Sequence, residues 1–257
     1  MTQATIQARF PDLAGKTVLV SGGGSGIGAA IVRGFAEQGA KTAFLDIADE
    51  PSKALEAELN DAGHTARFWH CDLTDIDALK AAISDVADAF GPVSVLVNNA
   101  AHDERHEVQD VTSEYWDNRF LVNLKHQFFC AQAVQLGMKQ LGGGSIINMG
   151  SISWMIGTGD MPAYTTAKSA VEGLTRSLAT AFGPDNIRVN TVLPGWILTE
   201  RQIELWWDEN SEASLMEKQC LQRKLYPIDM VGPILFLASQ ASSAITNQRL
   251  IVDGGWA

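Results

Sequence analysis

The sequence is short of several things, and each shortage excludes something. Cysteine is scarce: Cys71, Cys130 and Cys220 are odd in number, far apart and form no C-x-x-C pair. A disulfide framework is therefore not expected, and buried reduced thiols are. Of the five histidines, none sits in an H-E-x-x-H motif, and no metal site is expected. Positive charge is in deficit, with 19 Lys and Arg against 30 Asp and Glu and a formal net charge of -11. Nucleic acid and anionic membrane surfaces need a positive footprint, so neither is an expected partner. No apolar run approaches the length of about 18 residues that crosses a bilayer, and the first 16 residues, MTQATIQARFPDLAGK, contain no apolar signal core. A cytoplasmic location is expected. Internal repeats, low-complexity tracts and linker-like stretches are also missing.

What is present fits one globular domain. A chain of 257 residues with 46% hydrophobic and 19% charged residues can bury one sizeable core. Short apolar runs alternate with helical periodicity. Strands are expected at 17–21, 41–46, 65–70, 93–97, 145–149, 187–192 and 248–252, with helices between them, including a long one over about 113–139. That rhythm implies a parallel sheet with right-handed crossovers and helices on both faces, a doubly wound α/β fold spanning 1–257.

The first strand runs into Gly22-Gly23-Gly24-Ser25-Gly26-Ile27-Gly28 and then a helix. A glycine turn at a helix N-terminus offers free N–H groups and the positive helix end to an anion, and lets backbone approach a pyrophosphate closely. The second strand ends in Asp46, eighteen residues after Gly28, near the spacing of about 20 at which a carboxylate meets the adenosine ribose. Asp46 repels a 2′-phosphate, while Ile47 and Ser25 supply no cation to hold one, so NAD is favoured over NADP. Asp72 and Leu73, and then Asn99, Ala100 and Ala101, fall at carboxyl ends of strands, where such sheets bind ligands. Asp72 can accept from an adenine amino group or cap the following helix.

Tyr164 and Lys168 share a helix face at i and i+4. A phenol has a pKa of about 10, and an ammonium held beside it favours the phenolate. The pair can then abstract a proton from an alcohol. Four tryptophans, Trp154, Trp196, Trp206 and Trp207, lie in segments expected near the mouth of this site. Indole rings stack on the apolar face of a sugar, and His102, Asp103, Glu104, Arg105 and Gln202 can supply polar groups for its hydroxyls.

Taken in order, Ser21-Gly22-x-x-x-Gly26-Ile27-Gly28, Asn98-Asn99-Ala100, Asn123, Ser151, Tyr164-x-x-x-Lys168, Asn190, Pro194-Gly195 and Asp253-Gly254-Gly255 resemble the short-chain dehydrogenase/reductase superfamily over essentially the whole chain. Ser21 stands where that family usually has threonine, and Ala101 where glycine usually follows Asn-Asn-Ala. The resemblance implies a single-domain Rossmann fold with a seven-stranded parallel sheet and a homotetramer. It implies Tyr164 as the proton-transferring residue, Lys168 lowering its pKa and binding the nicotinamide ribose, Ser151 orienting the substrate oxygen, and Asn123 helping to hold Lys168. It also implies that Pro194, Gly195, Trp196, Ile197 and Thr199 cover the nicotinamide and that about 196–225 is a substrate flap.

Leu45–Glu50, Asp103–His106, Gly150-Ser151-Ile152-Ser153-Trp154 and Arg201-Gln202 further resemble bacterial aldose 1-dehydrogenases, those for D-xylose above all. This implies oxidation of an aldopyranose at C1 to the aldonolactone with NAD, the sugar meeting Ser151, Ser153, Trp154, Tyr164, His102, Asp103, Trp196 and Gln202. D-Xylose, L-arabinose, D-galactose and L-fucose all stay open as substrates. A secondary-alcohol, polyol or 3-oxoacyl oxidoreductase on the same scaffold is the alternative enzyme, and a non-catalytic dinucleotide sensor the alternative outside catalysis.

Overall fold

The computed structural model describes residues 7–257, so the first six residues of the domain expected over 1–257 lie outside the described residues. Two βα units come first: β1 (Thr17–Ser21), α1 (Gly26–Glu37), β2 (Lys41–Asp46) and α2 (Asp49–Asp61). They are followed by β3 (Thr65–His70), α3 (Ile76–Phe90) and β4 (Val95–Asn98). The next crossover consists of α4 (Ser113–Phe120) and α5 (His126–Gln140) and leads to β5 (Gly144–Met149), α6 (Pro162–Phe182) and β6 (Ile187–Pro194). Two short helices, α7 (Glu200–Trp206) and α8 (Ser211–Lys218), precede α9 (Pro227–Ala238) and β7 (Arg249–Val252).

All neighbouring strands pair in parallel, in the order β3-β2-β1-β4-β5-β6-β7. The expected seven-stranded doubly wound sheet is therefore what forms. β1 and β4 are buried at every position, because helices cover both faces and leave no wet side for alternating polar residues. On one face α1 and α9 pack through Ile31, Val32, Phe35, Val231, Ile234 and Leu235; on the other, α3 and α5 pack through Leu79, Ile83, Val86, Cys130, Val134 and Met138. Burying one such side chain contributes roughly 1.5–3 kcal/mol. Gly34 lets α1 close on α9, since a Cβ there would stand 2.2 Å from Val231 Cγ1.

The chain leaves β1 toward β2 and β3, then returns to the opposite side of β1 with β4. That reversal opens a crevice at the carboxyl ends of the strands. The helix expected over 113–139 is present but not regular. Residues Leu121–Lys125 between α4 and α5 form a π-helical turn, a widening that apolar periodicity does not encode. The stretch over 196–225 is a loop carrying α7 and α8, closed at its base where Ile197 bridges Leu225 and Leu198 N–H donates to Leu225 O at 2.8 Å. No described helix is long and apolar enough to cross a membrane.

Candidate active site

A cleft of about 1200 Å³ opens over the carboxyl ends of the strands. Its cofactor end begins at the turn after β1. Gly22 has a φ of +65°, and a Cβ there would press within 2.8 Å of Ala100 Cα. At Gly28 a Cβ would come within 1.8 Å of Gly22 O, closer than any atom pair permits. Ser25, the N-cap of α1, makes no side-chain capping bond, which leaves the amides of the first turn for another acceptor. These features fit a pyrophosphate at the helix end. Ser21 pins the facing loop: its Oγ accepts from the N–H groups of Asn99 and Ala100 at 3.0 and 3.2 Å, and Asn99 Nδ2 donates to Gly22 O at 2.9 Å. The hydroxyl that threonine would supply is thus present in serine.

Asp46 is half-buried at the cleft wall and already holds two backbone groups. Its Oδ2 accepts from Gly24 N–H at 2.8 Å and its Oδ1 from Ala48 N–H at 2.9 Å. A carboxylate has lone pairs beyond these for a ribose. Ile47 is 64% exposed and lines the same end. Asp72 Oδ1 accepts from both Thr74 N–H and Thr74 Oγ1, while α3 is capped by Asp75 instead, so the helix-capping reading of Asp72 is corrected.

At the reacting end, Ser151, Tyr164 and Lys168 line the cleft with Ser153. Ser151 Oγ also accepts from Ser153 N–H at 3.1 Å, capping a short 3₁₀ turn. Lys168 is buried, donates from Nζ to Met149 O at 2.8 Å and lies 5.7 Å from the centre of the Tyr164 ring. Burial pushes its pKa down to about 7. Although part of Tyr164 faces the cleft, loss of water around the phenol raises its pKa above the ordinary value. Asp103 adds to that rise, and the Ser151 hydroxyl and Arg201 act against it. The expectation that Lys168 lowers the phenol pKa is therefore not met in this state: desolvation dominates both groups, and it drives the pair toward neutral forms.

Asn123 lies inside the π turn, fully buried and not on the cleft wall. Its Oδ1 accepts from His102 N–H at 2.8 Å, and its Nδ2 donates to His102 O and Arg119 O at 3.2 and 2.9 Å. It thus fixes the loop after β4, and its side chain makes no hydrogen bond with Lys168.

The substrate end departs most from expectation. Trp196 lines the cleft, but Trp154, Trp206 and Trp207 do not. The 3₁₀ turn carries Trp154 toward β7, where the Arg249 guanidinium lies 5.6 Å from its ring. Trp206 is covered by Arg105 at 4.3 Å, and Trp207 packs edge-on against Trp196 at 5.3 Å. Asp103 and Gln202 meet each other: Gln202 Nε2 donates to an Asp103 oxygen at 2.5 Å, and Gln202 Oε1 accepts from Trp196 Nε1 at 2.9 Å. Arg201, which the sequence reading did not place in the site, also pairs with Asp103. His102 lies against Arg119, and burial, helped by that cation, lowers its pKa. Leu73, Ala101, Pro194, Gly195, Ile197 and Thr199 all line the cleft. His102 and His106 are four apart, but the segment is not helical, and no trio of metal-ligating side chains gathers among the described residues.

Residues 22–257 match the family described as enoyl-(acyl carrier protein) reductase. A Rhizobium meliloti protein named probable galactose dehydrogenase is 52% identical over 249 residues, covering 96% of this chain and 97% of its own. The D-xylose 1-dehydrogenase of Caulobacter vibrioides is 49% identical, with 97% and 98% covered. Among solved structures, a blue fluorescent protein from a metagenomic library, crystallised with NADPH, superposes with a TM-score of 0.88 at 34% identity, covering 96% of this chain and 99% of its own.

Proposed function

This chain belongs to the short-chain dehydrogenase/reductase family, and from that premise we propose that it oxidises an aldopyranose at C1 to the aldonolactone, with NAD as its dinucleotide. The observation that carries the reading is the convergence of Ser151, Tyr164 and Lys168 on the cleft that also holds the glycine turn. When bound, the dinucleotide supplies the acceptor for the hydride that leaves C1.

The protein's own share is orientation and proton transfer. The uncapped first turn of α1, with Gly22, Ser25, Gly26, Ile27 and Gly28, holds the pyrophosphate. Asp46 takes the adenosine ribose hydroxyls, and Asp72 and Leu73 border the adenine. Asn99 to Ala101 and Pro194 to Thr199 flank the nicotinamide half, and Lys168 its ribose. Ser151 donates to the C1 oxygen while Tyr164 Oη takes the hydroxyl proton as C1–O becomes C1=O. A protonated Lys168 would favour the phenolate that the proton transfer needs, against the desolvation that otherwise holds both groups neutral. Asn123 acts at one remove, by fixing the loop that carries His102 and Asp103.

NAD is favoured because Asp46 faces that end of the cleft and no lysine or arginine lies among the described residues lining it beside Asp46, Ile47, Asp72 and Leu73. The reading extends to a cytoplasmic homotetramer, supported by the exposed apolar Trp116, Phe128 and Leu136 along α4 and α5; light scattering tests the assembly.

The function is tested by following reduced dinucleotide across aldoses, polyols and 3-hydroxyacyl thioesters, with NAD and NADP in parallel. Turnover of aldoses with NAD is expected. Activity confined to non-sugars would overturn the sugar reading, and preference for NADP would overturn the role given to Asp46.

A further inference from the structure

The substrate end of the cleft carries three arginines, and each has a carboxylate opposite it. Arg201 Nη1 pairs with Asp103 Oδ1, Arg119 Nη1 lies 3.3 Å from Glu104 Oε2, and Arg105 Nε lies 3.5 Å from Asp160 Oδ2. The pairs differ in what they join. Arg119–Glu104 connects α4 to the loop after β4, and Arg105–Asp160 connects that loop to the turn before α6, whereas Arg201–Asp103 connects it to the flap. Asp103 is the shared acceptor of Arg201 and Gln202, and through Gln202 it also fixes Trp196. The Asp103 charge reaches the reacting groups as well, raising the pKa of both Tyr164 and Lys168.

Uncompensated arginines at this end would form a carboxylate receptor, since guanidinium presents a planar fork that matches that group. Here the charge is already balanced by the three carboxylates. A sugar hydroxyl adds no charge to these pairs. A sugar carboxylate would bring a second negative charge beside Asp103, at an expense that grows as water is excluded.

We propose that Asp103 is a specificity-determining residue, which neutralises Arg201 and thereby closes the site to acidic sugars while admitting neutral ones. The proposal rests on the aldose reading above and names what sets its charge selectivity. Without the Asp103 charge, Arg201 is free to pair with a substrate carboxylate.

The test compares D-galactose with D-galacturonate, which differ only in an alcohol or a carboxylate at C6 and share the reacting C1. The native protein should prefer the neutral sugar in kcat/KM by at least about a hundredfold. Asp103→Asn keeps the shape and one acceptor but removes the charge. It should lower KM for galacturonate by at least about tenfold and raise KM for galactose. The pH profile of kcat should also move toward acid, because the upward pull of Asp103 on Tyr164 and Lys168 is gone. The double variant Asp103→Asn/Arg201→Gln should lose the gain on galacturonate. Equal use of both sugars by the native protein, or a D103N variant with unchanged galacturonate KM and an unshifted pH profile, would overturn the assignment. Turnover of neither sugar, nor of any other aldose, would instead overturn the aldose reading itself, so the two failures are distinct.

Discussion

The two ends of the cleft are built from different materials. At the cofactor end, backbone does the work: a turn with a φ of +65° at Gly22, uncapped amides at the start of α1, and a Gly28 that tolerates no Cβ. At the substrate end, long side chains do it: Asp103, Arg201, Gln202, Trp196 and Arg105 reach one another between the loop after β4 and the flap, and Arg119 reaches His102 and Glu104 from α4. Backbone geometry of the first kind depends on a few residues close in sequence, so it tolerates little change. A side-chain lattice of the second kind can be re-paired one member at a time. The contrast separates a rigid end from one that can be re-paired, and the variants below are ordered by how hard each strikes it.

Tyr164→Phe lies between the two ends and should have the largest effect. In the proposed mechanism, removing the phenol oxygen takes away the proton acceptor and should lower kcat by about 10²–10⁴-fold. Dinucleotide affinity, measured by fluorescence titration, should stay close to native. Near-normal turnover would mean that another group accepts the proton.

Gly28→Ala tests the backbone end. The added methyl would meet Gly22 O at 1.8 Å and Asn99 Nδ2 at 2.7 Å, so both the turn and the facing loop must move. Strain of this kind is typically about 1–3 kcal/mol, which corresponds to about 10–100-fold in dinucleotide affinity if it falls on the bound state. Unchanged affinity would show that the turn is more pliant than its geometry implies. By contrast, Asp46→Asn keeps an acceptor for Ala48 N–H and removes only the charge. The ratio of kcat/KM for NADP to that for NAD should rise on the order of tenfold. A fall in melting temperature should accompany it, because Gly24 N–H would then face an amide.

The difference in materials also explains what could be read from residues alone. The apolar runs of β1, β2 and β4, the glycine turn and Asp46 are local patterns, so the sheet and the cofactor end were legible. Ser151 and Tyr164 were legible through spacing and family resemblance together. The direction in which Trp154 points was not, because a short 3₁₀ turn decides it. Nor was the pairing of Asp103 with Arg201, whose partners are 98 residues apart. The π turn at Leu121–Lys125 escaped for a third reason: it inserts a residue's worth of slack without breaking the apolar face, and Asn123 and His126 owe their environments to it.

His126 offers the gentlest probe of that hidden turn. It is completely buried on the first turn of α5; the carbonyls of Leu121 and Val122 approach its ring, but neither ring nitrogen makes a well-formed hydrogen bond. Burial, with a smaller contribution from the Lys168 charge, pushes its pKa down to about 3 from 6.5. The folded protein therefore keeps His126 neutral where the unfolded chain would take up a proton. Between about pH 6.5 and about pH 3 the unfolded state binds more protons, so stability falls as pH drops through that window and is fully retained above it. The slope from one such group is about 1.4 kcal/mol per pH unit. In urea unfolding at pH 7, 6 and 5, His126→Leu should show a shallower loss below pH 6.5 than the native protein, by on the order of 1 kcal/mol between pH 6 and pH 5. His102, whose pKa is also lowered, remains in both proteins and contributes equally to each, so the difference in slope isolates His126. Identical slopes would mean that the π turn opens far enough to hydrate the ring, and that the wide turn beneath the active site is looser than the backbone turn at the cofactor end.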